Sequence, residues 1–131
     1  MPTFSTISAQ RLVTCDPRLQ AVMNEVVKHF DCAILCGHRN EQDQEQAFAD
    51  GKSKSHFPMS KHNHLPAWAV DVAPYPIDWK DMARWRYFAG FVMGVAAAQG
   101  VKLRWGGDWD RDTDLSDNRF NDLPHFELAE P

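Results

Sequence analysis

Residues 67–73 read Ala-Trp-Ala-Val-Asp-Val-Ala, a run with the length and side-chain mix of a β-strand, carrying a carboxylate inside it and ended by Pro74 and Pro76. Burying an ionised carboxylate in such a strand is costly unless it is paired, hydrogen-bonded or held on a metal. The chain must therefore fold so that Asp71 meets partners from elsewhere in the sequence. Arg39 and Lys61 are the candidate ion-pair partners, and histidines sharing a cation with Asp71 are the alternative.

The other segments supply the layers around that strand. Asp16-Pro17 pairs an Asp N-cap with Pro at the first helical position, and Leu19, Val22, Met23, Val26, Val27 and Phe30 follow at the spacing of one helical face. Cys32 to Cys36 is a short apolar run ended by Gly37, which predicts a buried strand that delivers His38 and Arg39 to its end. Glu41 to Asp50 predicts a short helix closed by Gly51, with Ala47 and Phe48 turned inward. Lys52 to Pro66 has no apolar period and reads as a long loop, a common home for function.

Asp78 is expected to cap a further helix running to about Gln99 and stopped by Gly100, with Met82, Trp85, Phe88, Ala89, Val92, Met93 and Ala96 on its apolar stripe. Val101 to Trp105 predicts a strand, Gly106 to Asp122 an acidic loop, and Pro124 to Ala129 a last strand. About three helices with short strands and hairpin-length gaps late in the chain give a mixed α+β class.

At 131 residues the chain has the size of a single domain, expected to span 1–131 with no separate second module, and can bury a core without metal staples. Any metal would then serve chemistry. The formal charge of -4 and the lack of a dense basic cluster argue against nucleic acid as a partner. No apolar run approaches the roughly 20 residues that span a bilayer, and residues 1–10 lack the pattern of a signal peptide, so cytoplasmic synthesis is expected; a monomer is the expected state. Cys15, Cys32 and Cys36 are odd in number and read as reduced core residues; four residues of strand separate Cys32 from Cys36 by about 13 Å, too far to chelate one ion.

Three side chains of metal-ligand type stand out by context: His62 in Ser60-Lys61-His62, Asp71, and His125 in Pro124-His125-Phe126-Glu127-Leu128. In a strand, His125 and Glu127 share one face and Phe126 and Leu128 the other, so the polar face can line a cleft. Two imidazoles and a carboxylate suit a zinc ion, and three protein ligands plus a water is the pattern of a catalytic site that hydrolyses amides. A hydrogen-bonded core histidine and a structural ion pair are the plainer readings of the same residues.

Asp122, three residues before His125, stands where a general base would face such a water, or is simply one more loop acid beside Asp108, Asp110, Asp112, Asp114 and Asp117. Arg39 can hold a substrate carboxylate or oxyanion, or form an ion pair. The acidic run alternates as some calcium loops do, but Leu115 stands where an EF-hand needs its turn glycine, which leaves a solvated loop open to weak cation binding. Trp79, Trp85, Trp105, Trp109, Tyr75 and Tyr87 form an aromatic population able to hold glycan or peptide, with core or cleft wall as the ordinary role.

Taken in order, Cys36-Gly37-His38-Arg39, residues 48–54 (Phe-Ala-Asp-Gly-Lys-Ser-Lys), Ser60-Lys61-His62-Asn63, residues 69–74 (Ala-Val-Asp-Val-Ala-Pro), residues 104–109 (Arg-Trp-Gly-Gly-Asp-Trp) and residues 122–128 (Asp-Leu-Pro-His-Phe-Glu-Leu) make the chain recognisable. Over nearly its whole length it resembles the zinc peptidases of the D-alanyl-D-alanine carboxypeptidase and VanX/VanY superfamily, in particular the phage endolysins that act as L-alanyl-D-glutamate peptidases. The resemblance implies a small antiparallel sheet of the hedgehog/D-Ala-D-Ala peptidase type with a zinc cleft on one face. It also implies zinc ligands at His62, Asp71 and His125, a general base at Asp122, a substrate-binding arginine at Arg39, and Ser60 touching substrate or orienting the loop.

Many members of the superfamily place the first His seven positions before the Asp, where this chain has His64; His62 stands nine before it and is preferred for its Ser-Lys-His-Asn context. The implied substrate is the peptidoglycan stem peptide, cut at L-Ala-D-Glu after release from the host cytoplasm through a holin-type lesion. A D-Ala-D-Ala carboxypeptidase or dipeptidase, and an inactive wall-binding module, are the alternatives.

Overall fold

The computed structural model describes residues 1–117 and 121–131. Among them, the helices α1 (Thr6–Leu12), α2 (Pro17–His29), α3 (Glu41–Ala49) and α4 (Met82–Ala98) surround the strands β1 (Cys32–Cys36), β2 (Ala69–Pro74), β3 (Leu103–Gly106) and β4 (Asp122–Leu128). The strands form one antiparallel sheet in the order β1-β2-β4-β3. The α+β class and the small antiparallel sheet are as expected, with a fourth helix added.

α2 begins as its sequence predicts, with the Asp16 carboxylate accepting from the Arg18 N–H at 2.9 Å and Pro17 at the first position. Its buried face of Leu19, Val22, Met23, Val26 and Val27 joins Phe88, Ala89, Val92 and Ala96 of α4 and Val70, Val72, Leu103, Phe126 and Leu128 of the sheet in one core. Phe126 and Leu128 point into that core, while His125 and Glu127 occupy the other face of β4, as the two-residue period requires.

α1 is the helix the periodicity does not reveal, since only Ser8 and Leu12 of its residues are buried. It covers the outer edge of β1: the Ser8 hydroxyl accepts from the Ile34 N–H at 3.0 Å, and Arg11 donates to the Ile34 carbonyl at 3.0 Å. Two backbone groups of an edge strand are thereby satisfied by side chains. The end of β1 is pressed equally close, because a Cβ on Gly37 would collide with the Thr14 hydroxyl and the Arg11 carbonyl. Only glycine permits that approach.

Several placements differ from expectation, among them the starts of β3 at Leu103 and β4 at Asp122. α4 is capped by Asp81, whose carboxylate accepts from the Arg84 N–H at 3.2 Å; Asp78 instead closes the turn before it by accepting from Lys80. Phe48 is not inward but 39% exposed, its ring tilted against His56 with centroids 3.7 Å apart. The long loop contains a 3-10 helix, Lys61–Asn63, and Ala67 forms an isolated bridge to Cys15 before β2 begins at Ala69. Of the expected acidic loop, Gly106 belongs to β3, residues 115–117 form a 3-10 turn, and residues 118–120 lie outside the described residues. No described helix is long and apolar enough to cross a membrane.

Candidate metal centre and cleft

The sheet register brings the separated residues together. Asp71 on β2 pairs directly with His125 on β4 and with Cys36 on β1. His62 arrives from the 3-10 helix, which Ser60 caps: its hydroxyl accepts from the His62 N–H at 3.2 Å, and the Asn63 amide oxygen accepts from the Ser60 N–H at 3.0 Å. The Arg39 N–H donates to the His62 carbonyl at 2.8 Å, locking this turn to the end of β1. Buried Gln44 of α3 ties the surrounding loop by donating to the Ser53 hydroxyl and the Ser55 carbonyl.

His62, Asp71 and His125 are all buried, and Asp71 Oδ1 stands 3.2 Å from His62 Nε2 and 3.3 Å from His125 Nδ1. The far nitrogen of each ring is already engaged. His62 Nδ1–H donates to the Gly37 carbonyl at 2.7 Å, and His125 Nε2–H donates to Glu127 Oε1 at 2.9 Å. In neutral imidazoles those bonds leave lone pairs on His62 Nε2 and His125 Nδ1, both aimed at a carboxylate oxygen that is itself an acceptor. Such a convergence is repulsive unless a cation or extra protons sit between the atoms.

In the metal-free state protons do so. Burial opposes charging of His62, but Asp71 outweighs it and pushes the imidazole to about 10; burial opposes charging of His125 too, and Asp71 and Glu127 together raise it. Asp71, despite burial, is held well below the usual carboxylate range by the two histidines. A divalent cation replaces those protons naturally, and two imidazoles with one carboxylate form a donor set suited to zinc.

A second grouping of Cys36, His62 and Asp71 also has ligand atoms within 4.8 Å of one another. The ring orientation argues against it: Cys36 Sγ lies 4.0 Å from His62 Nδ1, the nitrogen already given to Gly37. Cys36 is nevertheless not the core residue expected. It is half-buried in the cleft wall, and although burial raises its thiol, His62 more than offsets this and lowers it. Cys15 and Cys32 do behave as core thiols, pushed by burial to about 12.

Glu127 is the residue that sequence reasoning left without a role. Its Oε2 takes Lys61 Nζ at 2.8 Å and Arg104 Nη1 at 3.1 Å while Oε1 holds His125. Burial pushes the carboxyl up, but the hydrogen bonds from His125 and Lys61 overcome it and hold it at about 2. Lys61 therefore pairs with Glu127 rather than Asp71, linking the turn that carries His62 to the strand that carries His125. A carboxylate behind a ligand histidine fixes its tautomer and raises its basicity.

Arg39 lines the cleft and donates from Nη2 to Asp71 Oδ2 at 3.1 Å, leaving Oδ1 for the histidines. Asp122 also lines the cleft, its Oδ2 4.0 Å from His125 Nδ1, and burial followed by the charge of Asp71 raises its pKa. Ser60 does not line this cleft; its hydroxyl is spent on the cap, which leaves it orienting the loop. His64 is exposed, stacked on Trp68 at 3.5 Å with Nδ1 bonded to the Pro66 carbonyl, and takes no part in the cluster.

Beside Asp71 lies a cleft of about 660 Å³, and the fold as a whole has a solved counterpart in the L-Ala D-Glu endopeptidase ChiX of Serratia marcescens: TM-score 0.74, 25% identity, 97% of this chain and 90% of that one. The fold is that of a peptidase. The family model described as phage L-alanyl-D-glutamate peptidase matches residues 2–129, and the L-alanyl-D-glutamate peptidase of Escherichia phage T5 is 34% identical over 120 residues, 87% of this chain and 86% of that protein. The chain belongs to the phage L-alanyl-D-glutamate peptidase family.

Proposed function

We propose that the protein is a zinc-dependent endolysin that hydrolyses the L-Ala-D-Glu bond of peptidoglycan stem peptides, with His62 Nε2, Asp71 Oδ1 and His125 Nδ1 as the metal ligands. The observation that carries this reading is the convergence of those three atoms, with each imidazole's other nitrogen fixed by an acceptor. Family membership supports the substrate.

Zinc bound there would polarise a scissile carbonyl and make a neighbouring water more acidic. Asp122, half-buried on the cleft wall with a raised pKa, takes the proton from the attacking water and passes it to the leaving amine of D-Glu. Arg39 holds Asp71 in its ligating orientation and presents its fixed charge to the substrate. We further propose that residues 1–131 work as one monomeric catalytic domain, made in the host cytoplasm and reaching the wall through a holin-type lesion.

The test is mass spectrometry of fragments released from purified peptidoglycan, with zinc and after chelation. New amino termini on D-Glu that vanish with the chelator are expected. Release of single D-Ala would instead establish a carboxypeptidase, and absence of any release would leave a binding module.

A further inference from the structure

The cleft is lined by polar groups from α3 and by aromatic and apolar groups from the segments that follow β2 and open β4, and the strand directions relate the two. Cys36 pairs with Asp71 and Cys32 with Pro74, so the chain enters α3 from one end of the β1-β2 pair and reaches Trp79 from the opposite end. Asp43, Gln46, Asp50 and Lys52, from α3 and the turn after it, bring charged and polar groups to the cleft. Because β4 runs antiparallel to β2 with His125 opposite Asp71, the residues that precede His125, Asp122 as well as Leu123 and Pro124, lie towards the Pro74 side, where Trp79 also lines the cleft.

Trp79 is held ready for a ligand. It is 57% exposed, yet stacks at 4.8 Å on Trp85, which is 1% exposed and whose Nε1–H donates to the Asp78 carbonyl at 2.9 Å. Arg84 donates to the Pro76 and Tyr75 carbonyls at 2.8 and 2.7 Å, fastening the loop that carries the indole. A large aromatic face left in water on a rigid support costs little ordering when a flat apolar partner covers it.

The substrate has a matching asymmetry. On the carboxyl side of the L-Ala-D-Glu bond stand a free carboxylate and a diamino acid, both charged. On the amino side a single alanine, about 3.8 Å from one Cα to the next, separates the bond from the lactyl group and ring of the muramoyl sugar. The geometry points to Trp79, with Leu123 and Pro124, as a subsite for that N-acetylated sugar, and so to a stem peptide lying with its glycan end at Trp79 and its charged end along α3. This inference rests on the function proposed above.

Two measurements test it. In the first, kcat/KM is compared for a disaccharide-tripeptide and the sugar-free tripeptide. Trp79→Ala should cut the preference for the glycan-bearing substrate about tenfold, mainly through KM, and Trp79→Tyr should restore most of it. Equal losses on both substrates, or none, would overturn the subsite. In the second, the Trp79 indole N–H resonance, assigned with Trp79→Phe, is followed while N-acetylmuramoyl-L-alanine or the γ-D-glutamyl-diamino acid dipeptide is added. A shift with the sugar-bearing half alone is expected; a shift with the dipeptide would reverse the orientation. Wild-type protein that cuts neither substrate would contradict the proposed function, while the titration, which needs no turnover, would still decide the subsite.

Discussion

Asp71 and Glu127 lie buried among histidines and cations, whereas Asp110, Asp112, Asp114 and Asp117 stand exposed on the loop after β3 with half-buried Asp108 at its root. The first pair is held low by its partners; in the loop, Asp117 is pushed to about 6, chiefly by its hydrogen bond with Asp112, and Asp108 is raised by burial and neighbouring acids. Both regions bring acid oxygens close to possible ligands. In the first, each proposed ligand is oriented by a further group: the Gly37 carbonyl behind His62, the Glu127 carboxylate behind His125 and the Arg39 guanidinium behind Asp71. The loop satisfies its carboxylates with its own N–H groups, such as Asp114 to Asp112 at 2.8 Å. Proximity of acids is common, and the surrounding support distinguishes a catalytic centre.

The sharpest way to break this contrast is one substitution made in both regions. Asp71→Asn should abolish peptidase activity and reduce zinc in the purified protein to trace levels by elemental analysis; Asp117→Asn should leave both within about twofold, as surface changes generally do. Asp122→Ala is expected to lower kcat by roughly 10²- to 10⁴-fold while zinc remains stoichiometric, and retained activity would sink the base assignment. Glu127→Gln keeps an acceptor for His125 but loses the charge that gathers Lys61 and Arg104. Its zinc affinity should weaken by about 10- to 100-fold in a chelator competition, with activity recovered at saturating zinc.

The smallest effect is on stability. Glu127 is depressed from 4.5 to about 2, so its contribution is complete above pH 4.5 and lost as pH falls towards 2. His62 is raised from 6.5 to about 10, so in the chelated protein its contribution is complete below 6.5 and lost as pH rises through 10. Melting temperature against pH should therefore decline on both sides for the chelated protein. Zinc should remove the alkaline decline, and a decline unchanged by zinc would place the metal elsewhere.

Local signals were legible where local chemistry decides the outcome. The Asp16-Pro17 cap, the Cys32–Cys36 strand and the alternation of Phe126 and Leu128 against His125 and Glu127 all stand in the structure as the sequence implies. α1 was hidden because it packs against β1 through Ser8 and Arg11 rather than through an apolar stripe. Asp78 and Asp81 are both competent caps three residues apart, and periodicity does not choose between them. Asp71, His62 and His125 were found as candidates by context and family resemblance. Their mutual register, the Gly37 carbonyl behind His62 and the Lys61–Glu127 link depend on strand pairings that no local pattern specifies.

The measurement that reaches the central claim most directly is the ¹⁵N spectrum of the histidine rings as zinc is added to the chelated protein. Large shifts at His62 Nε2 and His125 Nδ1, with Nδ1 of His62 and Nε2 of His125 still protonated and His64 unmoved, are the result expected. A shift at His64, or coordination through His62 Nδ1 beside Cys36, would contradict it.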